Sequence, residues 1–280
     1  MKIQVLVDNS TLIDRYFTGE PAVCYYIEMD GMKILFDTGY SDVFIKNAEA
    51  MDIDLDALTH IVLSHGHNDH TGGLSYLVGG GSVHGGAAPC GVPKIRLIAH
   101  PHCFERKVCE EGDVGSPVPR GVIECAFHYI PAAGPWELSE NCMFLGYIPR
   151  ENAYEGKDII GKRETGNGWR DDTLEDDSAL VCRTKDGLFI VTGCSHSGIC
   201  NIVDYAVHVC GDTRIAGILG GFHLFDVDKR LEQTISHLAD MGIKKVYPCH
   251  CVSLKAKARM MERLTVEEVG VGTEIEINTT

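Results

Sequence analysis

An α/β architecture is predicted by three features of the chain. Short apolar, β-rich segments recur along its length. Helix-period stripes lie between several of them. Glycines stand where those stripes stop. Strands that alternate with helices argue for sheet covered by helix, and against an all-β or all-helical protein.

Taken in order, the first strands are read at Ile3–Val7, Cys24–Glu28 and Lys33–Asp37, segments rich in Val, Ile, Leu and Tyr. His60–Ser64 and Ile95–His100 follow. In the second half the strands are Leu180–Arg183, Leu188–Thr192, Ile215–Leu219 and Lys244–Pro248. Ile199, Ile202, Val203, Ala206, Val207 and Cys210 share one helical stripe, which Gly211 ends. Leu231, Ile235 and Leu238 mark another, ended by Gly242. Gly79–Pro93, Glu110–Arg120 and Arg150–Asp177 read as loops. The last, which carries Trp169 and Arg170, is expected to be a substrate-selecting lid. Strand–helix alternation resumes after each loop, so residues 1–280 are taken as one domain. "GMKILFDTG" (Gly31–Gly39) is echoed by "GLFIVTG" (Gly187–Gly193), which suggests a duplicated strand–loop–helix plan with two sheets.

Composition narrows the function. Formal charge is 25 − 40 = −15, and Lys and Arg are not clustered. A nucleic-acid partner normally demands a basic face, so a small-molecule substrate is favoured. No apolar run approaches the roughly 20 residues of a membrane span. The opening "MKIQVLVDNST" lacks the features of a signal peptide. A cytoplasmic protein with no membrane partner is expected. The 12 cysteines include no CxxC pair, which excludes the usual iron–sulfur and zinc-ribbon spacings. Most of them are read as buried free thiols acting as small hydrophobes.

"LSHGHNDHTGGL" (Leu63–Leu74) concentrates the chemistry. His65 and His67 are two apart, so in an extended loop they point the same way. Gly66 between them allows a tight backbone path. Asp69 and His70 lie one turn further on. Imidazole and carboxylate are ligands for zinc, iron or manganese. Four such groups suit two metals, the first pair taking one ion and the second pair the other. Three of the chain's 13 histidines fall within these six residues, too dense for a chance polar loop.

"SHGHNDHTGG" resembles the HxHxDH motif of the metallo-β-lactamase superfamily. "ILFDTG" is similar to that superfamily's preceding strand, whose aspartate (here Asp37) lies under the metal loop. "VLVDNST", "TGCSHSGICN", "GGFHL" and "YPCHC" look like one subgroup, the dihydropterin–ribofuranosylaminobenzene-phosphate synthase-like metal-dependent hydrolases. The resemblance spans nearly the whole chain. It implies an αββα sandwich, two mixed sheets flanked by helices, with metals at one edge. It further implies His196 and His250 as metal ligands. Cys194 stands at the bridging position; it and His196 could both face the metals, His196 being favoured, or Cys194 could pack inward. The family's usual third histidine has no counterpart in "LEDDSALV", where Asp176 or Asp177 would substitute. His223, at a strand end after two glycines, is expected to be functional, as a general acid, a partner of the substrate oxyanion or a metal ligand, the catalytic role being favoured. His60, His100, His102, His128, His208 and His237 are read as structural.

Two divalent ions are therefore expected as cofactors, zinc first, with manganese, iron or magnesium as alternatives. A metal pair yields hydroxide near neutral pH, which would attack a small anionic, phosphoester-like substrate. Asp69 would orient the nucleophile, and His223 would protonate the leaving group or hold the anion. Helices expected to start at Thr71 and Ser197 would present positive ends to that anion. The resemblance implies a rival reaction, a transferase joining a dihydropterin pyrophosphate to a ribofuranosylaminobenzene phosphate. A redox di-iron protein and a non-enzymatic binding protein on the same fold are further alternatives, and a homodimer is left open.

Overall fold

The computed structural model describes residues 1–78, 94–243 and 245–279. The glycine-rich loop Gly79–Pro93 lies outside the described residues. The N-terminal half runs β1 (Lys2–Val7), β2 (Cys24–Met29), β3 (Met32–Phe36), α1 (Val43–Ala50), β4 (His60–Val62), α2 (Asn68–Thr71), α3 (Leu74–Val78), β5 (Arg96–Ala99), β6 (Lys107–Cys109), β7 (Gly112–Asp113), α4 (Arg120–Ala126) and β8 (His128–Pro131). Then come β9 (Trp136–Ser139), β10 (Cys142–Phe144), β11 (Lys162–Thr165), β12 (Gly168–Asp171), β13 (Ala179–Thr184), β14 (Gly187–Thr192), α5 (Ile199–Cys210), β15 (Ile215–Gly220), α6 (Lys229–Asp240), β16 (Lys245–Pro248), α7 (Leu254–Met260), β17 (Thr265–Val266) and β18 (Glu274–Glu276).

Two seven-stranded sheets form the body, in the orders β18-β1-β2-β3-β4-β5-β8 and β17-β16-β15-β14-β13-β10-β9. The echo read in the sequence has a structural counterpart. Each sheet holds an antiparallel hairpin, β2–β3 or β13–β14, whose second strand pairs in parallel with the next. Alternate side chains on the strands divide between two cores. Tyr25, Ile27, Ile34 and Phe36 face Phe144, Leu180, Phe189 and Val191 between the sheets. Tyr26, Leu35, Ile61 and Leu97 turn outward onto Phe44 and Ala48 of α1, Leu74 of α3 and Ile123 of α4. On the far side Val181, Leu188, Ile190 and Ile218 meet Ile199, Ile202, Val203 and Ala206 of α5 and Leu231, Ile235 and Leu238 of α6. The layers are thus αββα. Each fully buried Leu, Ile, Val or Phe in them contributes about 1.5–3 kcal/mol.

Several elements depart from the sequence reading. α1 has only Phe44 and Ala48 as buried apolar residues, so it shows no stripe. Its third buried residue, Asn47, donates through Nδ2 to the Leu6 and Thr18 carbonyls. Arg150–Asp177 is not a plain lid. It contains the hairpin β11–β12, which joins β6 and β7 in a small third sheet, ordered β12-β11-β6-β7. The helix expected from Thr71 instead begins at Asn68, lasts one turn, and is followed by α3 from Leu74. α5 begins at Ile199 and not at Ser197. No helix among the described residues is long and apolar enough to cross a membrane.

Candidate metal centre

The site lies where strands of both sheets end at one edge, the place ligands occupy in open α/β sheets. Asp8 and Asn9 follow β1, Asp37 follows β3, and His65 to His70 follow β4. From the second sheet, Cys194 and His196 follow β14, His223 follows β15 and His250 follows β16. Four of these strand-end positions hold left-handed backbone without being glycine: Asp37, Ser195, His223 and His250, at φ 57°, 60°, 51° and 52°. Such conformations are costly and concentrate at functional sites. The sheets touch here without slack. A Cβ on Gly193 would lie 2.1 Å from Ser64 Oγ.

The six expected ligands all come together. His65 and His196 ring centroids are 4.8 Å apart, and His67 and His196 5.2 Å. Asp69 Oδ2 lies 3.4 Å from His70 Nε2 and 3.3 Å from His250 Nε2. Of the two placements open to Cys194, the structure takes the one facing the site. Its sulfur does not turn into the core but lies 3.2 Å from His70 Nε2. Donor atoms of Asp69, His70, Cys194 and His250 form one mutually close group, and those of His65, Cys194 and His196 form another. Cys194 belongs to both. Asp176 and Asp177 belong to neither. Asp176 is engaged by Lys107 and the Gly66 N–H, and Asp177 accepts from the Ser197 N–H and hydroxyl.

Outer partners orient the rings. Asp37 Oδ2 accepts from His70 Nδ1 at 2.7 Å, which directs His70 Nε2 at the site. Burial lowers this histidine, but the Asp69 and Asp37 carboxylates outweigh it and hold it well above the ordinary value, so a metal there would displace the Nε2 proton. Ser64 donates its hydroxyl to Asp37, so its oxygen accepts from His65 Nδ1 at 3.0 Å. His65 Nε2 then faces His67 Nδ1 at 3.1 Å. Asn9 Oδ1 accepts from His250 Nδ1 at 3.1 Å, and Asp8 accepts the His250 N–H at 2.9 Å. Asp8 and Asn9 escaped the sequence reading. Their signal was a polar pair directly after an apolar strand, at the edge where the ligands gather. Replacing Asn9 by Ala should weaken the metal position at His250 by about 10- to 100-fold, the usual cost of losing such a partner. Chelator competition checks this; unchanged affinity would remove Asn9 from the site.

The electrostatics suit a cation. Burial, then the imidazoles of His70, His67 and His196, holds His65 well below the ordinary histidine value. Burial likewise lowers His67, to about 4, and His196. Burial pushes the Asp69 carboxyl up, but the His70 and His250 imidazoles outweigh it and hold it well below the usual range. The three neutral imidazoles and the ionised carboxylate are therefore in ligand form. Burial raises the Cys194 thiol well above its ordinary value, and a bound cation would reverse that. The clearest sign is an unmet need. His67 Nε2 and both ring nitrogens of His196 are buried and lack any hydrogen-bond partner. Buried polar atoms are rarely left so, and a divalent metal fits this donor set.

His223 lies beside the cluster, its ring 4.5 Å from that of His196 and 4.9 Å from Phe225. Burial, then the Arg230 guanidinium, lowers it, so it is neutral near pH 7. The expectation that helix ends attract the substrate fails for α5. Its Asn201 and Cys200 N–H groups donate to the buried Glu155, and the preceding Ser197 N–H donates to Asp177. Two carboxylates already occupy that positive end.

A family model of the metallo-β-lactamase superfamily matches residues 17–89. The chain belongs to that superfamily, in its dihydropterin–ribofuranosylaminobenzene-phosphate synthase-like group. It is 30% identical over 282 residues to the 7,8-dihydropterin-6-methyl-4-(β-D-ribofuranosyl)-aminobenzene-5′-phosphate synthase of Methanocaldococcus jannaschii, covering 94% of this chain and 91% of that one. The crystal structure of Tm1679, a metal-dependent hydrolase of the β-lactamase superfamily, superposes with a TM-score of 0.82 at 29% identity over 99% of both chains. Zinc-bound PqqB from Methylobacterium extorquens shares the fold alone, with a TM-score of 0.56 at 13% identity, covering 99% of this chain and 100% of that one.

Proposed function

We propose that the protein is a metal-dependent hydrolase that uses two divalent ions, zinc first, on a small anionic, phosphoester-like substrate. The observation that carries this reading is the set of buried, unpartnered imidazole nitrogens beside two donor groups that share the Cys194 sulfur. His65, His67 and His196 would hold one ion, and Asp69, His70 and His250 the other, with Cys194 common to both. When bound, such a pair supplies Lewis acidity and ionises water near neutral pH. Asp69, kept ionised between two imidazoles, accepts a hydrogen bond from the attacking water and orients it. Neutral His223 donates a ring N–H to an anionic oxygen of the substrate, a holding role more than an acid's.

A pocket of about 360 Å³ beside His250 supports an anionic substrate. Phe225 and Leu254 give it an apolar wall, and Lys257 also lines it. The Lys257 ammonium has no acidic partner among the described residues. It takes over the anion-attracting role that the α5 terminus cannot play.

A second reading, the transferase joining a dihydropterin pyrophosphate to a ribofuranosylaminobenzene phosphate, is favoured by the 30% identity to a synthase across 94% of the chain. Metal content by elemental mass spectrometry comes first, on protein purified without chelator or oxygen. Product analysis with simple phosphoesters and with the two transferase substrates follows. About two ions per chain and chelator-sensitive phosphate release are expected. Pyrophosphate release with a joined product would favour the transferase. A chain that reconstitution leaves without metal would overturn both readings.

A further inference from the structure

We propose that the small third sheet is a clamp on the first half of the metal loop, and that Asp176, fixed by buried Lys107, is the positioning residue that sets His65 and His67 relative to each other. The proposal rests on the metal-centre reading and adds to it a group that touches no metal.

Lys107, on β6, is fully buried with its partners. Its Nζ donates to Asp172 Oδ2 at 2.8 Å and to Asp176 Oδ1 at 2.9 Å, and all three side chains are 0% exposed. The other Asp176 oxygen accepts the Gly66 N–H at 2.8 Å. Gly66 is the residue between the two imidazoles. Its neighbours on the loop are held from the same side. His67 forms a bridge with Gly115, and the Asn68 N–H donates to the Val114 carbonyl at 2.9 Å. The Val114 and Gly115 N–H groups in turn donate to the Lys107 carbonyl. Three consecutive loop residues are thus gripped through one lysine. The fit leaves no freedom, because a Cβ on Gly66 would lie 2.0 Å from the Cys103 carbonyl oxygen and 3.0 Å from Lys107 Cε.

The second half of the loop is held from elsewhere. The Val23 N–H donates to the Asp69 carbonyl, the Thr38 N–H to the His70 carbonyl, and the His70 ring is fixed by Asp37. The clamp therefore acts on one metal position and not on the other. A carboxylate pinned by a buried ammonium holds a backbone N–H in one place, and a ligand pair hung on that backbone inherits its geometry.

The test is a zinc titration of metal-free protein by chelator competition, which reads the two binding steps separately. In Asp176→Ala, Gly66 loses its acceptor while Lys107 keeps Asp172. The position formed by His65, His67 and His196 should weaken by about 10- to 100-fold, with the position at Asp69, His70 and His250 unchanged. Asp176→Asn keeps one acceptor oxygen for the Gly66 N–H but turns its NH2 toward the Lys107 ammonium, so it should recover only part of the loss. Equal weakening of both positions, or none in either, overturns the proposal. Should the Ala variant not fold, amide exchange in the metal-free wild type decides. The Gly66 N–H should exchange as slowly as that of Ile61 in β4, and exchange at the rate of an exposed loop sinks the clamp. Wild-type protein that takes up no zinc would refute the metal centre itself, whereas unaltered stepwise affinities in Asp176→Ala refute only the clamp.

Discussion

A Cys194→Ala variant should lose affinity at both metal positions at once. The sulfur is the only donor common to the two close groups among the described residues. Removing any of the histidines leaves three or more donors at the other position. Removing the thiol takes one donor from each and leaves the two cations facing each other without the negative charge between them. Affinity at both steps should fall by more than about 100-fold, beyond the range for loss of an outer partner. His250→Ala serves as the contrast and should weaken one step only. The fold should survive, since Cys194 is a small group at the rim of the inter-sheet core and contributes little apolar packing. Stepwise zinc titration of both variants checks this. Loss of a single step in Cys194→Ala would show that the sulfur serves one metal.

Lys107→Met should be among the most destabilising single changes in the molecule. It leaves Asp176 buried without its cation and Asp172 with only the Arg163 guanidinium, 3.8 Å away. Breaking a buried pair from one side costs about 3–5 kcal/mol, because the remaining charge is neither solvated nor matched. Urea unfolding of the metal-free protein measures it, and a loss under about 1 kcal/mol would mean that water reaches the triad. The pH dependence supplies a second readout. Burial raises the Asp176 carboxyl, but the Lys107 ammonium outweighs this and holds it well below the usual carboxylate range. A depressed carboxylate contributes stability that is present above its unfolded value, near 3.9, and lost as pH falls through the folded value. The wild type should therefore lose stability in acid below about pH 4, and Lys107→Met should lose less there, having already forfeited that term.

How far these residues could be read from sequence varies with their chemistry. His65, His67, Asp69 and His70 announce themselves, because four ligands in six residues have few other uses. Asp176 is visible as an acidic residue but not as to role. Whether it binds a metal or a backbone N–H depends on Lys107, 69 positions away along the chain. Asn9 and His250 lie 241 positions apart and meet because β1 and β16 end at the same edge. The anion-attracting end of α5 was a sound inference from helix geometry. It failed because Glu155, in a loop some 45 residues earlier, already fills it. Arg150–Asp177 stands out in the sequence by its length and polarity. Its hairpin does not, since β12 is wholly exposed and carries no apolar alternation.

The αββα layering was implied by family resemblance, while the sequence by itself determined the α/β class, the echoed strand–loop–helix plan with two sheets and the first four donors of the centre. These depend on periodicity and on residues adjacent in the chain, where propensity and spacing act directly. Tertiary structure decided that the Cys194 sulfur lies in both donor groups, that Asp176 is taken up by Lys107 and the Gly66 N–H, and that Glu155 and Asp177 fill the positive end of α5. Each of those outcomes turns on which groups from distant segments share a dry space. In that space an unpaired charge or a bare ring nitrogen is expensive enough to dictate its partner.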